Sequence, residues 1–370
     1  MAYGTVSADI IQSSVPGVSL GAGDATMMKN RIINGAMVID QRNAGASVTP
    51  GTGGTYTLDR WQYVNNQASK FSIQQNAGSV TPPIGFNNYI GFTSLSAYSS
   101  ASSDYFVLTQ SVEGFNWSDL GWGTSNAKTV TLSFQVYSSL TGTFGGSFVN
   151  SATNRSYPFT YTISSANTWT SISVTVAGDT AGTWVGANNG IGVRVYFDLG
   201  SGSTFRGTAG SWSSNYYLAP TGAVSVVGTS GATWYMTGVQ LEVGSSATGF
   251  EYRQYQQELA LCQRYYQRFT TNASSYTAYG SGITGSATAI NRWGMNLLVP
   301  MRTKPSNSFT NSNSYNGVLG GLVTISADYS SPQAMDMDLA TTGLTATSGL
   351  AVRILPQSNN TGYIEASAEL

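Results

Sequence analysis

Between Thr129 and Ser139 the chain reads TVTLSFQVYSS, with Val130, Leu132, Phe134 and Val136 alternating against Thr, Ser and Gln. A period of two gives a strand with one buried face. TWTSISVTV (Thr168 to Val176) alternates in the same way, with Trp169, Ile172, Val174 and Val176 mostly on one side. GIGVRVYFDLG (Gly190 to Gly200) and ATWYMTGVQLEVG (Ala232 to Gly244) add two more strands, and clusters such as GDTAG, GANNG and SGSTFRG supply the turns between them. Many short strands joined by Gly, Asn and Ser turns between Asn30 and Arg253 predict a β-sandwich of the jelly-roll type. A propeller would need a visible internal repeat, and none is present.

One stretch breaks the pattern. GFEYRQYQQELALCQRYYQRF (Gly249 to Phe269) uses Glu, Leu, Gln and Arg, and it places Tyr255, Leu259, Cys262, Tyr266 and Phe269 at spacings of 4, 3, 4 and 3. That predicts a linking helix over residues 254–270. Its stripe either lies on the adjacent sandwich or forms the seam of a parallel trimer, since two heptads alone are marginal in water. After Thr270 the strand signal resumes. INRWGMNLLVPM alternates Trp293, Met295, Leu297, Val299 and Met301, and GGLVTISADY, MDMDLATTGL, LAVRILP and GYIEASAEL follow, predicting a smaller C-terminal β-sandwich over 271–370. Residues 1–29, small, polar and Gly-containing, read as an extended arm.

Composition narrows the chemistry. Of 370 residues only 9% are charged, while 43 are Gly and 12% are aromatic, a mainly β profile. With 16 basic and 17 acidic residues there is no basic footprint for nucleic acid or an anionic membrane, and no apolar run approaches ~18 residues, so membrane insertion is not expected. The start of the chain lacks the basic and apolar regions of a secretory signal, so synthesis in the cytoplasm is expected. There is no His, and Cys262 is the single Cys. Histidine-dependent nucleophiles, HExxH zinc sites and intrachain disulfides are thereby excluded.

The remaining enzymatic option is a carboxylate pair. Asp336 and Asp338 share one face of a predicted strand, with Met335, Met337 and Leu339 on the other, and the solvated-face reading is preferred over a hydrolytic pair. No enzyme is expected. Sugar recognition fits better, because apolar pyranose faces stack on Trp and Tyr while hydroxyls need polar neighbours. The loop-like segments that offer this mixture contain Trp117, Asp119 and Trp122, then Trp184, then Trp212, Tyr216 and Tyr217. The alternative for each of these aromatics is to plug an end of the sandwich, the more common fate of a Trp. Trp169 and Trp234 lie inside strand patterns and read as core.

The order of motifs carries a resemblance. MKNRIINGAMVIDQRNAG, then YTLDRWQ, then WYMTGVQLEVGSSATGFEYRQYQQELALCQRYYQRF resemble a family of phage and prophage virion proteins of the tail-fibre-like or structural kind, over about Met28 to Phe269. VPMRTKPS and the terminal YIEASAEL look like the small C-terminal β domain of that family. One departure is that the Pro-Tyr-Gly turn of the family pattern is replaced by Gln254-Tyr255-Gln256. The resemblance implies a main domain similar to jelly-roll carbohydrate-binding modules, a virion location, other virion proteins in tail or capsid as partners, and host-surface glycans as ligands. A homotrimeric fibre anchored by its arm is the first expectation. A capsid decoration or head-fibre protein is the alternative, and a glycan-degrading tailspike the second. No cofactor is expected beyond a structural calcium of the kind such modules carry; Asp40, Asp59 and Glu242 are its candidate ligands, although no DxDxDG loop supports one. Asp59 beside Arg60 also reads as an ion pair or a turn at a strand start.

Overall fold

A computed structural model describes residues 28–270, 279–286, 289–310, 312–315, 319–341, 349, 351–356 and 362–370, so the arm expected over 1–29 lies outside the described residues apart from Met28 and Lys29. Among the described residues the chain is mainly β with one α-helix. Its first strands are β1 (Gly53–Leu58), β2 (Trp61–Asn65), β3 (Phe71–Gln75), β4 (Ile90–Ser94) and β5 (Phe106–Glu113). There follow β6 (Val130–Ser138), β7 (Gly142–Val149), β8 (Ser156–Ile163), β9 (Thr170–Val176) and β10 (Ile191–Asp198). Short pieces β11 (Arg206–Gly207) and β12 (Ala219–Pro220) precede the long β13 (Thr233–Val243). One sheet has the order β1-β2-β5-β10-β7-β8 and the other β3-β4-β13-β6-β9, with the non-sequential neighbours of a jelly roll.

The alternation read from the sequence orients these strands. Leu132, Phe134 and Val136 of β6 lie beside Trp234 and Met236 of the neighbouring β13 and share one core with Val195 and Phe197 of β10 in the opposite sheet. Ser133, Gln135 and Tyr137 consequently point out of the sandwich. At the β1–β2 hairpin Leu58 pairs with Trp61, so Asp59 and Arg60 are the turn, and Arg60 takes a φ of 70°. The expected turn is present, but Arg60 forms its ion pair with Glu369 and not with Asp59.

The helix α1 spans Tyr255–Gln263 only, and the chain then enters β14 (Tyr266–Thr270), which corrects the expected helix over 254–270. Tyr266 and Phe269 belong to a strand because residues 266–270 pair in register with 363–367. Helical spacing continued past the point where sheet pairing offered these backbone groups better partners. The five residues proposed as a seam do not share one face. Tyr255 is 59% exposed, whereas Cys262 packs with Ile33, Ile39, Tyr265 and Leu259, and Phe269 joins the C-terminal core. Within the chain, the Leu259 and Cys262 side of the helix packs inward, while Tyr255 stays exposed.

Beyond β14 lie β15 (Gly280–Ser286), β16 (Ala289–Asn296), β17 (Ser306–Thr310), β18 (Ser312–Tyr315), β19 (Leu319–Asp328), β20 (Ala334–Thr341), β21 (Ala351–Pro356) and β22 (Tyr363–Ser367). Where a second sandwich was expected, the larger sheet closes into a barrel, β15-β16-β20-β19-β18-β21, beside a three-stranded sheet β14-β22-β17. The predicted alternation holds in β16 as far as Asn296, after which the chain bends before β17. Closure removes the free edges that a small open sheet would expose. Met335, Met337 and Leu339 are buried in the barrel, and Asp336 and Asp338 face out. Arg292 holds both carboxylates, donating its backbone N–H to Asp338 at 2.8 Å and its guanidinium to Asp336 at 3.3 Å.

The two β units are joined by a buried polar network. Glu369 accepts from Arg42 at 2.7 Å and from Arg60, whose guanidinium also lies 3.6 Å from the Tyr265 ring centroid and donates to Ser111 O at 2.6 Å. Arg302 donates to the carbonyls of Ala368, Glu369 and Asn189. Glu113, at the end of β5, accepts from Arg264 at 2.6 and 2.9 Å and from the Tyr265 hydroxyl at 2.6 Å. Burial pushes the Glu113 carboxyl up, but these hydrogen bonds outweigh it and leave it below the usual carboxylate range.

Candidate functional site

The outer face of the β3-β4-β13-β6-β9 sheet carries a groove of about 380 Å³. Its floor is polar for a reason already visible in the strand pattern. β6 and β9 pair so that Ser133 lies opposite Ser173 and Gln135 opposite Ser171, all on the face turned away from the core. Gln135 and Ser171 hydrogen-bond across the strands at 2.8 Å.

One wall is aromatic. Between Thr237 and Gln240 the register of β13 shifts against β6, a bulge at which Gly238 takes a φ of 62°. A Cβ at Gly238 would lie 2.6 Å from the Phe86 ring, so glycine is what lets Phe86 rest on the strand. Phe250 stands 5.1 Å and Tyr252 5.8 Å from Phe86 between ring centroids, and Tyr252 is 63% exposed. The segment bearing Phe250 is tied down by two buried side chains of β13. Glu242 accepts from the backbone N–H of Thr248 at 2.8 Å and from its hydroxyl at 2.6 Å, and Gln240 accepts from Glu251 N at 2.8 Å.

The floor runs on into an aromatic platform. Tyr137, two residues beyond Gln135, stacks on Tyr235 at 5.3 Å with an interplanar angle of 5°, and Tyr235 stacks on Tyr89 at 5.1 Å. Trp169, two residues before Ser171, lies 5.5 Å from Tyr137 and donates its indole N–H to Thr81 O at 2.9 Å. Trp169 was expected in the core; it faces outward. Its odd number against the even Ile172, Val174 and Val176 was the signal that places it on the opposite side of β9. Trp234, also expected in the core, is there and fully buried.

The residues named from loop composition sit elsewhere. Trp117, Trp122, Trp184 and Trp212 are brought together, with Trp122 within 4.7 to 5.1 Å of the other three, but Trp117 and Trp122 are buried. Trp122, Trp184 and Trp212 spend their indole N–H groups on carbonyls within the chain, those of Lys128, Ala181 and Ala177. Together with the Arg155–Asp179 pair at 2.7 Å they plug one end of the sandwich. Asp119 is held bidentate by Arg31 at 2.8 and 2.9 Å. Tyr216 packs beside Tyr196, Val107 and Phe205 around a cavity of about 150 Å³ on the other sheet, and Tyr217 accepts from Asn215 at 3.0 Å. The sequence reading thus found a real aromatic cluster and missed Phe86, Phe250, Tyr252, Gln135 and Ser171. Their signal was weaker: single aromatics in PPIGFNN and GFEY, and the polar positions of strands already recognised.

The candidate calcium ligands do not converge. Asp40 caps the turn at Asn43 and Gly45 through their backbone N–H groups, and Glu242 holds Thr248. Asp59 accepts from the backbone and side-chain nitrogens of Gln41, both at 2.7 Å. Burial raises its pKa from 3.8 to about 6, against the lowering influence of Arg42 and Gln41. Among the described residues no group of three acidic or thiol ligands is close enough to hold a metal ion.

No family model and no curated protein matches the sequence. Among solved structures, a protein from Bacteroides thetaiotaomicron described as a candidate for sugar binding is similar at 12% identity, covering 58% of this chain and 100% of that one with a TM-score of 0.35. A family 11 carbohydrate-binding module from Clostridium thermocellum, solved with a β-1,3-1,4-mixed-linked tetrasaccharide, is 11% identical over 54% of this chain and 100% of its own, TM-score 0.26. A tandem carbohydrate-binding-module domain from Paenibacillus barcinonensis is 10% identical over 89% and 98%, TM-score 0.26. Likeness at this level leaves function to be argued from the chain's own residues.

Proposed function

We propose that this chain is a non-enzymatic, fibre-like surface component of a phage virion that binds glycan chains in the groove over the five-stranded sheet. The observation that carries the binding is the groove itself: a floor of hydroxyl and amide side chains beside a wall of Phe86, Phe250 and Tyr252. Sugar rings offer the complementary surfaces, an apolar face for the wall and hydroxyl edges for the floor. The lining supplies no carboxylate pair for acid and base roles, which favours holding a glycan over cleaving it. The virion location is supported by the motif order from Met28 to Phe269. Copies displayed together on a particle would add avidity to a weak individual contact.

The test is binding of the full chain to arrayed bacterial surface polysaccharides, alongside Tyr252→Ala and Trp184→Ala. Wild type should bind. Tyr252→Ala should weaken binding by about tenfold, the worth of one stacking contact, with an unchanged circular dichroism spectrum because Tyr252 is exposed. Loss of binding in Trp184→Ala with none in Tyr252→Ala would move the site to the tryptophan cluster.

A further inference from the structure

The chemistry of the groove also limits which glycans it can take. Its lining consists of phenyl, phenol, hydroxyl, amide and aliphatic groups, with no carboxylate, ammonium or guanidinium among them. The charged side chains that touch the wall segment are already committed. Glu242 is buried beneath Thr248 and saturated by its hydroxyl and N–H. Glu251 accepts from Asn30 N at 2.7 Å and pairs with Arg253 at 3.1 Å, and Lys29 donates to Gly249 O at 2.5 Å. The formal charges beside the wall segment, Glu242 and Glu251 against Arg253 and Lys29, cancel, and none of them lines the groove.

A carboxylate, sulfate or phosphate entering this groove would lose hydration without gaining a cation from the side chains that line it. An uncharged chain has no such cost. It exchanges water for Gln135, Ser171 and Ser173 on its hydroxyl edge and for Phe86 and Tyr252 on its apolar face. We propose that the groove selects uncharged polysaccharides and rejects acidic ones. This inference rests on the glycan-binding reading above and adds the class of ligand to it.

Affinity electrophoresis of the full chain tests it with probes that differ only in charge: mixed-linkage β-glucan, glucomannan and dextran, each beside the same polymer with its alcohols partly oxidised to carboxylates or, for dextran, sulfated. The expected result is retardation by at least one neutral polymer, about tenfold weaker on its charged form, and unchanged within about twofold between roughly 20 and 300 mM salt. Tyr252→Ala should weaken the retardation by about tenfold. Equal or tighter binding to a charged form, lost on adding salt and weakened in Tyr252→Ala, overturns the selectivity while leaving the groove as a glycan site. Retardation by no polymer of either kind overturns the glycan-binding reading and the selectivity with it.

Discussion

Asp59 shows how little a residue's identity says about its work. Flagged as a metal ligand or the partner of Arg60, it is instead a fully buried acceptor for Gln41. Its folded pKa of about 6 lies above the ordinary 3.8. The native state therefore binds a proton that the unfolded chain releases between those values, and stability through Asp59 rises as pH falls from about 7 toward 4. The full effect is on the order of 3 kcal/mol. Denaturant unfolding at pH 7 and pH 5 should show wild type more stable at the lower pH, and Asp59→Asn should flatten that slope; a slope that survives the substitution would exonerate Asp59. Glu113 acts in the opposite sense at lower pH, where its depressed carboxyl takes up a proton and releases Arg264. Trp122 makes the complementary point. As the centre of the end plug, Trp122→Ala should cost about 3–5 kcal/mol in thermal or denaturant stability and leave glycan affinity unaltered. Loss of affinity in a variant of native stability would return the binding role to that cluster.

Strands were legible one element at a time. Alternation in 129–139, 168–176, 190–200 and 232–244 located β6, β9, β10 and β13 to within a residue or two, because half-buried strands write their period directly into sequence. The helix was legible only at its start. Glu258, Leu259 and Ala260 are good helix formers, yet nothing local announced that β22 would claim residues 266–270. The bulge in β13 was equally silent: Gly238 lies in a run that reads as an unbroken strand. Leu259 packs with Cys262 against Ile33 and Ile39 inside one chain. Leu259→Asp should therefore destabilise the protein by about 1–3 kcal/mol and leave its mass by light scattering equal to that of wild type. A drop in mass would show that the helix stripe is a seam between chains.

At the scale of the molecule, Arg42, Arg60 and Arg302 bind the last residues of the chain to the sandwich. Arg60 is almost fully buried, so Arg60→Leu strips Glu369 of one of its two cations and should cost about 3 kcal/mol. Calorimetry of wild type should give one cooperative transition, and that of Arg60→Leu two, with the barrel unit melting first. A single transition in both proteins would mean that apolar contacts alone couple the units.

The sequence by itself determined the class of the fold, the periods of its strands, the absence of histidine and thiol-pair chemistry, and the low charge that carries into the groove. These are properties of composition and of neighbours two to four residues apart. Which aromatics face solvent, which carboxylates are already paired, where the helix stops and whether the second sheet closes were decided by tertiary structure. Each depends on partners far away in the chain: Phe86 on Gly238, Arg60 on Glu369, and Tyr266 on Ser367. Long-range pairing overrules local preference because a buried backbone or charged group left without a partner costs more than the propensity it overrides.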